Sequence, residues 1–451
     1  MFRDYILEIC LEHLDFCAVV DNRYALIRDI GESRFGKVYL AVDKVEKRLV
    51  ALKRLKNISK TKVNLRMFLN EMKNLAKLQK LKRSSHVCSI YDFNLSGRYK
   101  DNQLIVYYIM EYKEMGDLFS LVQDIEDSLS QNLVGFFMCQ IYKALAEIHS
   151  VGIVHLDLKL DNIVVDENLQ IFLCDFGHSL DINGKMISQN RNPKKGFKKK
   201  RVEELIQVSF VGSLNYSAPE ILDLQNQLEC ETNDTMKISE KLKAVDFFKC
   251  DVFSSGVVLF VQLLKLFPFN KAAADDEFFR VMIQKPSDFE KSFGNIRELD
   301  EKFLDLFYQS CGISVNKRLD VKGLLTHPWL QDNTYAHFEY AVEELYEFLD
   351  EKKRVFSEKL QSYLSNKRDA RMSSFNSRAR MGLDKDDRQE VSYRAVKKRQ
   401  KNEDYFKIIE AFKTEYSYPI KKLGKDINCV NKRKNYFSEN SFSQRSSSSD
   451  D

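Results

Sequence analysis

The segment His155-Leu156-Asp157-Leu158-Lys159-Leu160-Asp161-Asn162 precedes a short apolar stretch, Ile171-Phe172-Leu173-Cys174, and then Asp175-Phe176-Gly177. The apolar stretch predicts a buried strand, so two carboxylates and an amide lie on neighbouring loops. Any one of them could be a turn or cap residue, because Asp and Asn favour such places. Their joint order and spacing argue against that interpretation. Oxygen donors of this kind suit Mg²⁺.

This donor set is the one that metal-assisted phosphoryl transfer requires. Asp157 is expected to orient an incoming hydroxyl group, and Lys159 to stabilise the charge that develops on the transferred phosphoryl group. Asn162 and Asp175 are the expected Mg²⁺ ligands.

Two weaker signals lie upstream. In Ile30-Gly31-Glu32-Ser33-Arg34-Phe35-Gly36-Lys37-Val38 the glycines would let backbone N–H groups approach phosphate oxygens, although two glycines also occur in plain hairpins. In Val50-Ala51-Leu52-Lys53 a lysine ends a predicted strand, and Glu71 lies near the edge of an apolar helical stripe over residues 62–82. Lys53 and Glu71 are predicted to pair at the phosphate site. The alternative is a solvated surface pair.

In their order along about two-thirds of the chain, these motifs resemble those of eukaryotic protein kinases of the serine/threonine type, loosely those of the calmodulin-dependent and AMP-activated kinases. The resemblance implies an α+β fold with two lobes. The small lobe, residues 20–112, would hold an antiparallel sheet with one helix, and the larger lobe, residues 113–330, would be mainly helical. ATP and Mg²⁺ are the cofactors that the resemblance implies.

The resemblance also assigns an adenine site. Met110 corresponds to the family's gatekeeper, backbone groups of Glu111 and Tyr112 are expected to bind the base, and Asp117 is expected to meet the ribose. Four further side chains are expected to enclose the adenine ring between apolar surfaces. They are Ile30, Val38, Ala51 and Val164.

Other parts of the larger lobe match the family as well. The segment Gly212–Glu220 resembles the peptide-binding loop, and Glu220 is expected to pair with Arg318. Asp251 would brace the loop that carries Asp157. Lys159 and Ser213 together indicate serine or threonine as the acceptor. Leu156 occupies the position where many members have an arginine that receives an activation-loop phosphate, so we expect another kind of activation.

Composition and charge also bear on binding partners, on metal or disulfide frameworks and on cellular location. A net charge of +5 over 451 residues does not by itself indicate nucleic-acid binding. Nine scattered cysteines without a Cys-x-x-Cys spacing argue against a zinc or disulfide framework. The acidic N-terminus is unlike a secretory signal, and the apolar run from Val252 to Phe267 predicts a buried core helix, with no transmembrane segment. A cytoplasmic location is expected, with nuclear entry through the basic run 191–201 as an alternative to a solvated insertion.

Outside the catalytic domain, residues 1–19 are predicted to form an extra element packed on the small lobe. Residues 331–370 are predicted to form an amphipathic helix that packs against the larger lobe. The alternatives are that this helix blocks the active site, binds calmodulin or pairs as a coiled coil. The charged remainder, 371–451, is predicted to be largely disordered. Regulatory partners are expected at 338–364 or 394–414.

Two functions are compatible with these observations. The first is ATP-dependent phosphoryl transfer to serine or threonine hydroxyls of protein substrates. The alternative is a non-catalytic scaffold that keeps the fold for binding, which the presence of Ser33 and Leu156 at family positions makes worth testing.

Overall fold

The computed structural model describes residues 2–380 except for 33–35, 56–61, 82–85, 101–102, 126–127, 183–212, 231–243, 295–299 and 335–337. The chain divides into two compact units. The first contains the chain up to Leu69, then Ser89–Tyr112 and the chain from Leu349; the second contains Asn70–Cys88 and Lys113–Phe348. Ser33, the basic run 191–201 and the candidate partner segment 394–414 lie outside the described residues.

The first unit is built on a six-stranded antiparallel sheet, in the order β1-β2-β3-β4-β6-β5. Its strands are β1 (Ala18–Val20), β2 (Tyr24–Glu32), β3 (Gly36–Asp43), β4 (Arg48–Leu55), β5 (Ile90–Tyr99) and β6 (Gln103–Glu111). Helices α1 (Phe2–Leu11) and α2 (Lys62–Leu78) accompany the sheet. Helix α2 passes from the first unit into the second at Asn70.

Both faces of the sheet are apolar, because side chains alternate along each strand. On β4, Val50 and Leu52 join one buried cluster, whereas Leu49 and Ala51 join the other. The second cluster also contains Ile6, Ile9 and Cys10 of α1. The expectation that an N-terminal element packs on the small lobe is therefore confirmed.

A buried carboxylate closes the hairpin between β3 and β4. Asp43 is fully buried and accepts hydrogen bonds from Arg23 Nε at 2.8 Å and Nη2 at 2.7 Å. The backbone N–H groups of Val45 and Glu46 donate to the same carboxylate. Burial alone would raise the pKa of Asp43, but the hydrogen bonds from Arg23 and the backbone hold that pKa below its usual value.

The second unit is mainly helical and has two small antiparallel sheets. The strands are β7 (Gly116–Asp117), β8 (Ile153–Val154), β9 (Ile163–Val165), β10 (Ile171–Leu173) and β11 (Leu180–Asp181). The helices are α3 (Leu118–Asp124), α4 (Gln131–Ser150), α5 (Pro219–Cys230), α6 (Phe247–Leu264), α7 (Glu277–Gln284), α8 (Pro286–Ser292), α9 (Glu301–Cys311), α10 (Val321–Leu325) and α11 (Pro328–Thr334). An antiparallel-sheet unit and a helical unit confirm the predicted α+β kinase fold class.

Helix α6 lies in the core of the second unit. Among the described helices it alone is long and apolar enough to cross a membrane by those two criteria. Most of its residues are buried inside the protein, including Gln262 and Asp251. This burial is typical of a core helix, and it agrees with the prediction made from the apolar run beginning at Val252.

The final helix, α12 (Phe338–Arg380), departs from the sequence-based expectation. Its early residue Glu344 accepts hydrogen bonds from the N–H and hydroxyl groups of Ser130 in the second unit. Leu360 and Leu364, however, belong to the apolar cluster of the first unit. The prediction that the helix packs against the larger lobe therefore agrees with the contact at Glu344, but it is wrong for the turns that carry Leu360 and Leu364. The predicted boundary at residue 370 also falls inside the helix.

A buried ion pair fastens the start of α5. Arg318 donates from Nη1 to Glu220 Oε1 at 2.7 Å and from Nη2 to Oε2 at 3.2 Å. Its remaining N–H groups donate to the carbonyls of Gly312 and Lys249, and its guanidinium lies over the ring of Phe253 at 5.1 Å. The predicted pairing of Glu220 with Arg318 is confirmed.

Replacing Arg318 by alanine should therefore destabilise the second unit. Removing one partner leaves the Glu220 carboxylate without its bidentate donor and several buried carbonyls unsatisfied, which typically costs about 3–5 kcal/mol. Trp329, the protein's single tryptophan, is fully buried in the same unit, so its fluorescence during urea unfolding measures the loss. Arg354→Ala, which removes an exposed arginine paired with Glu351 and Glu358, is the matched control and should change the midpoint far less. Equal losses in the two variants would contradict the prediction.

Candidate active site

The loop between β8 and β9 is fastened to the protein core by one carboxylate. Asp251 of α6 accepts hydrogen bonds from the backbone N–H groups of His155 and Leu156, both at 2.8 Å. His149 Nε2 lies 2.8 Å from the same carboxylate. The predicted bracing role of Asp251 is confirmed, and His149 is a contact that sequence reasoning missed. Leu156 has a φ of +60°, so its neighbour Asp157 comes directly after a sharp local turn.

Asp157 is the centre of a polar network. The Asn162 Nδ2 group donates to the Asp157 carbonyl at 2.8 Å and to its Oδ2 at 3.0 Å. Lys159 Nζ lies 3.3 Å from Oδ2. The backbone N–H of Ser213 donates to Oδ1 at 3.1 Å, and Lys159 Nζ donates to the Ser213 hydroxyl at 2.9 Å. The structure thus brings three predicted residues, Asp157, Lys159 and Asn162, into one group with the predicted peptide loop.

Asp175 is placed close to Asn162 by a β-hairpin. Strands β9 and β10 pair antiparallel with Ile163 opposite Leu173, and the N–H of Cys174 donates to the Asn162 carbonyl at 2.9 Å. Asp175 is the next residue and lies in the left-handed region with φ +57°. A Cβ atom at Gly177 would lie 3.2 Å from Asp175 Oδ1. The hairpin pairing thus places Asp175 directly after the strand that is paired with the Asn162 end of β9.

The donor chemistry of these two residues fits the predicted metal. Because Asn162 uses its NH₂ group for Asp157, its amide oxygen is directed away from those bonds. One amide oxygen and one carboxylate suit Mg²⁺, which usually binds through one or two protein ligands together with waters and phosphate oxygens. Within the described part of the chain, no cluster of three or more His, Cys, Asp or Glu residues offers a different metal site.

The residues after Phe176 are hydrogen-bonded to α2. The Phe176 ring is fully buried and lies 4.8 Å from that of His155. Asn70 Nδ2 donates to the Ser179 carbonyl at 2.8 Å, and Asn74 Nδ2 donates to the Ser179 hydroxyl at 2.8 Å. These asparagines lie on the part of α2 that carries the buried Glu71.

A charged contact lies one turn further along the same helix. Lys77 Nζ donates to Asp181 Oδ1 and to the Val151 carbonyl, at 2.7 and 2.8 Å. Sequence reasoning missed Asn70, Asn74 and Lys77. Asn74 lies beside the apolar residues of this helix and is fully buried. Because buried amides normally have hydrogen-bond partners, a polar residue at such a position was the available signal of a contact.

Two further predicted residues are neighbours in the second unit. Asp117 is paired with Val164 in the β7–β9 ladder, so the predicted ribose and adenine contacts are adjacent in the backbone. The Asp117 side chain caps α3, accepting hydrogen bonds from the N–H and hydroxyl groups of Ser120 at 2.7 and 2.9 Å. Its carboxylate therefore has a structural function whatever else it binds.

The first unit gathers most of the predicted nucleotide residues. Ala51 and Tyr112 belong to the apolar cluster beside α1, and three partly buried side chains pack against it. Those three are Ile30, Val38 and Met110.

The lysine and the glycines occupy neighbouring strands of the same sheet. Lys53 is 5% exposed and lies opposite Val38 in the β3–β4 register. At Gly36 a Cβ atom would lie 3.0 Å from the Arg54 carbonyl, a tight contact that favours a small residue at this strand position. Gly31 has more space, since its nearest neighbour is the Val38 Cβ atom at 3.9 Å.

One backbone group of the predicted adenine site has a partner within the first unit. The N–H of Glu111 donates to the Ser89 carbonyl at 2.9 Å. The predicted binding of the base by backbone groups of Glu111 and Tyr112 stays a prediction. The predicted pairing of Lys53 with Glu71 joins residues of the two units and stays a prediction.

Burial and two carboxylates act on a tyrosine of the peptide loop. Tyr216 is 5% exposed, and its ring lies 5.3 Å from that of Phe267. Burial first, and then the charges of Asp161 and Asp157, raise the pKa of Tyr216 well above its usual value. The hydroxyl group therefore remains protonated beside the Asp157 loop at neutral pH.

Comparison with known proteins agrees with this geometry. A family model described as the protein kinase domain matches residues 24–330. A probable serine/threonine-protein kinase, fhkA, of Dictyostelium discoideum is 30% identical over 68% of this chain and 50% of its own length. CBL-interacting protein kinase 5 of Oryza sativa subsp. japonica is 27% identical over 70% of this chain and 57% of its own length. The maternal embryonic leucine zipper kinase of Danio rerio is 28% identical over 68% of this chain and 38% of its own length. The chain spans about half or less of the length of most curated relatives that it matches, and it belongs to the protein kinase family.

Proposed function

We propose that this chain transfers the terminal phosphoryl group of ATP to serine or threonine hydroxyls of protein substrates. The observation that carries the proposal is the network around Asp157. Its carboxylate is held from one side by Asn162 Nδ2 and from the other by the Ser213 N–H. A carboxylate fixed in this way beside the peptide loop is placed to receive a hydroxyl group.

Each side chain of the network has a separate function. Asp157 orients the attacking hydroxyl and accepts its proton as the new bond to phosphorus forms and the bond from that phosphorus to the bridging oxygen breaks, releasing ADP. Lys159, 3.3 Å from Asp157 Oδ2, carries a positive charge that stabilises the charge on the transferred group. Electrostatic stabilisation of this kind depends on donors that are already in position, and the Ser213 hydroxyl holds Lys159 there.

ATP bound with Mg²⁺ supplies the phosphoryl group, and Asn162 and Asp175 are the residues that would hold the metal. In the first unit, Ile30, Val38 and Ala51 form the apolar surface for the adenine ring. Lys53, paired with Glu71, is proposed to bind the phosphates, with Gly31 and Gly36 allowing the backbone to approach them.

The acceptor preference rests on Lys159 and Ser213. Both residue types at these positions resemble serine/threonine kinases, and the two side chains are hydrogen-bonded to each other. A probable serine/threonine-protein kinase is among the relatives of this chain. We therefore infer that a short aliphatic hydroxyl, rather than a phenol, is the acceptor.

The second candidate is a scaffold that binds partners without catalysis. Ser33 and Leu156, which occupy positions where most members have glycine and arginine, motivate it. The intact group of Asp157, Lys159, Asn162 and Asp175 favours the catalytic function, because a binding module has no need of that arrangement.

Asp157→Asn should abolish phosphoryl transfer while leaving the fold intact. Loss of a general base typically costs roughly 10²–10⁴-fold in rate. Transfer of radiolabelled phosphate to a generic protein substrate, and to paired peptides that differ only by serine or tyrosine, measures both activity and acceptor. Asp275→Asn, which neutralises an exposed carboxylate paired with Lys271, is the matched control and should retain full activity.

Two results would reject the catalytic proposal. If wild-type protein and Asp157→Asn are equally inactive while ATP binding is retained, the scaffold function applies. If the variant keeps wild-type activity, Asp157 is not the base. Preferential labelling of the tyrosine peptide would reject only the acceptor assignment.

We further propose that phosphorylation of the activation segment is not the main on-switch. Leu156 cannot bind a phosphate in place of arginine. Contacts made without a phosphate support the same view: the peptide loop is bonded to Asp157 and Lys159 through Ser213, and Ser179 is bonded to Asn70 and Asn74.

Phosphatase treatment should therefore leave the activity of the full-length protein within about twofold, a change of less than roughly 0.5 kcal/mol in barrier height. The measurement is substrate phosphorylation before and after treatment, with removal of phosphate checked by mass spectrometry and a sample containing inhibited phosphatase as control. A large loss traced to sites within residues 178–217 would defeat the hypothesis.

A further inference from the structure

The second part of α12 is built into the core of the first unit. Leu360 is fully buried, and Leu364 is 1% exposed. These two leucines are four positions apart, so they lie on the same face of the helix, with Phe356 one turn earlier. The three side chains join a cluster that also contains residues of α1, β2, β3 and β4. The part of the predicted partner segment 338–364 that carries these three side chains is thus already covered by the chain itself.

Aromatic contacts join α12 to α1 and β2. The Phe356 ring meets that of Phe2 edge to face, with centroids 6.1 Å apart. The Arg28 guanidinium of β2 also lies over the Phe356 ring, 4.6 Å from its centroid. Phe356 is therefore fixed both by the N-terminal helix and by the strand that leads to Ile30 and Gly31.

Polar contacts from α12 reach an irregularity in β2. In the β2–β3 register Leu26 pairs with Ala41 and Arg28 pairs with Leu40, so Ile27 is the extra residue of a bulge. Lys367 Nζ donates to the carbonyls of Leu26 and Ile27, at 3.2 and 3.0 Å. A bulge interrupts the regular ladder, and an ammonium group is well suited to satisfy its carbonyls.

The same apolar face extends to the proposed adenine surface. On β3, Val38, Leu40 and Val42 alternate on one face. Leu40 and Val42 are fully buried in the cluster that contains Leu360 and Leu364, and Val38 packs against it. Ala51 and Tyr112 are themselves members. In a closely packed core, a change in the volume of one side chain shifts its neighbours. A cavity made at α12 should therefore shift the side chains of the proposed adenine surface.

We propose that α12 is a positioning element of the nucleotide site: Leu364 and Lys367 hold β2 and the apolar layer in the arrangement that lets Ile30, Val38 and Ala51 receive adenine. This inference rests on the proposed function, because it deepens the assignment of the ATP site. Leu364 and Lys367 act through other residues and are positioning residues. The helix accordingly supports ATP binding, whereas an inhibitory tail would oppose it.

Full-length variants test the proposal. Leu364→Ala should weaken binding of a fluorescent ATP analogue by roughly three- to tenfold, where tenfold corresponds to about 1.4 kcal/mol. The KM for ATP should rise by a similar factor, with a smaller change in kcat. Leu364→Met, which restores most of the volume, should recover affinity. Met372→Ala, which truncates a half-exposed apolar side chain on the same helix, is the control and should bind like wild type.

A second variant covers the case in which Leu364→Ala does not fold. Lys367→Met removes the ammonium group and its bonds to the β2 bulge while keeping the aliphatic chain, and it should likewise raise the KM for ATP more than it lowers kcat. Lys359→Met, at an exposed position of α12, is the matched control.

Three outcomes overturn the inference. Unchanged ATP affinity in both folded variants would show that α12 only packs on the first unit. Tighter ATP binding or faster phosphoryl transfer would show that the helix inhibits. Loss of kcat with an unchanged KM would place its effect elsewhere. Failure of wild-type protein to bind ATP would instead reject the proposed function itself, so the two failures are distinguishable.

Discussion

The kinase-domain part of this protein depends on one buried carboxylate, Asp251, placed within the most apolar helix of the described chain. Burying a charge is costly unless the charge is paired and hydrogen-bonded. Asp251 meets that requirement through two backbone N–H groups of the Asp157 loop and through His149. The helix therefore gains the two backbone partners of its charge only when the loop is in place. The hydrogen bonds that stabilise the buried charge of Asp251 are thus the same bonds that fix the loop carrying Asp157.

A second set of contacts positions the residues after Asp175. This chain has Leu156 where many family members have an arginine. Two uncharged amides and one lysine connect the residues after Asp175 to α2: the amides bind Ser179, and Lys77 binds Asp181. A phosphatase does not change the hydrogen bonds that these amides make, and the loss of a buried hydrogen bond destabilises the folded protein. The activation segment thus starts from an arrangement that the polypeptide itself stabilises.

The fold class and the members of the second-unit site could be predicted from sequence, because each motif is local: a few consecutive residues determine a loop whose side chains meet. Glu220 and Arg318, far apart in the chain, were predictable only through family resemblance. The location of α12 was not predictable. Helical periodicity identified its apolar face, but periodicity says nothing about which surface covers that face, and Leu360 and Leu364 suit the sheet beside α1 as well as a helical lobe. Asn70 and Asn74 were missed because their partner, Ser179, lies more than 100 residues away.

The two glycines near the start of the sheet show how one pattern can have two physical causes. Glycine is expected in such a loop because the backbone must approach phosphate oxygens. At Gly36, however, the immediate constraint is internal: any side chain would press on the Arg54 carbonyl of the adjacent strand. Gly31 is under no such constraint, since a Cβ there makes only ordinary contact with Val38. A need for close approach to a ligand can therefore be argued for Gly31, whereas the tight β3–β4 contact favours a small residue at Gly36 even without a nucleotide. The spacing of the two glycines is consequently weaker evidence for the proposed function than the network around Asp157, where Asn162, Lys159 and the Ser213 N–H meet one carboxylate.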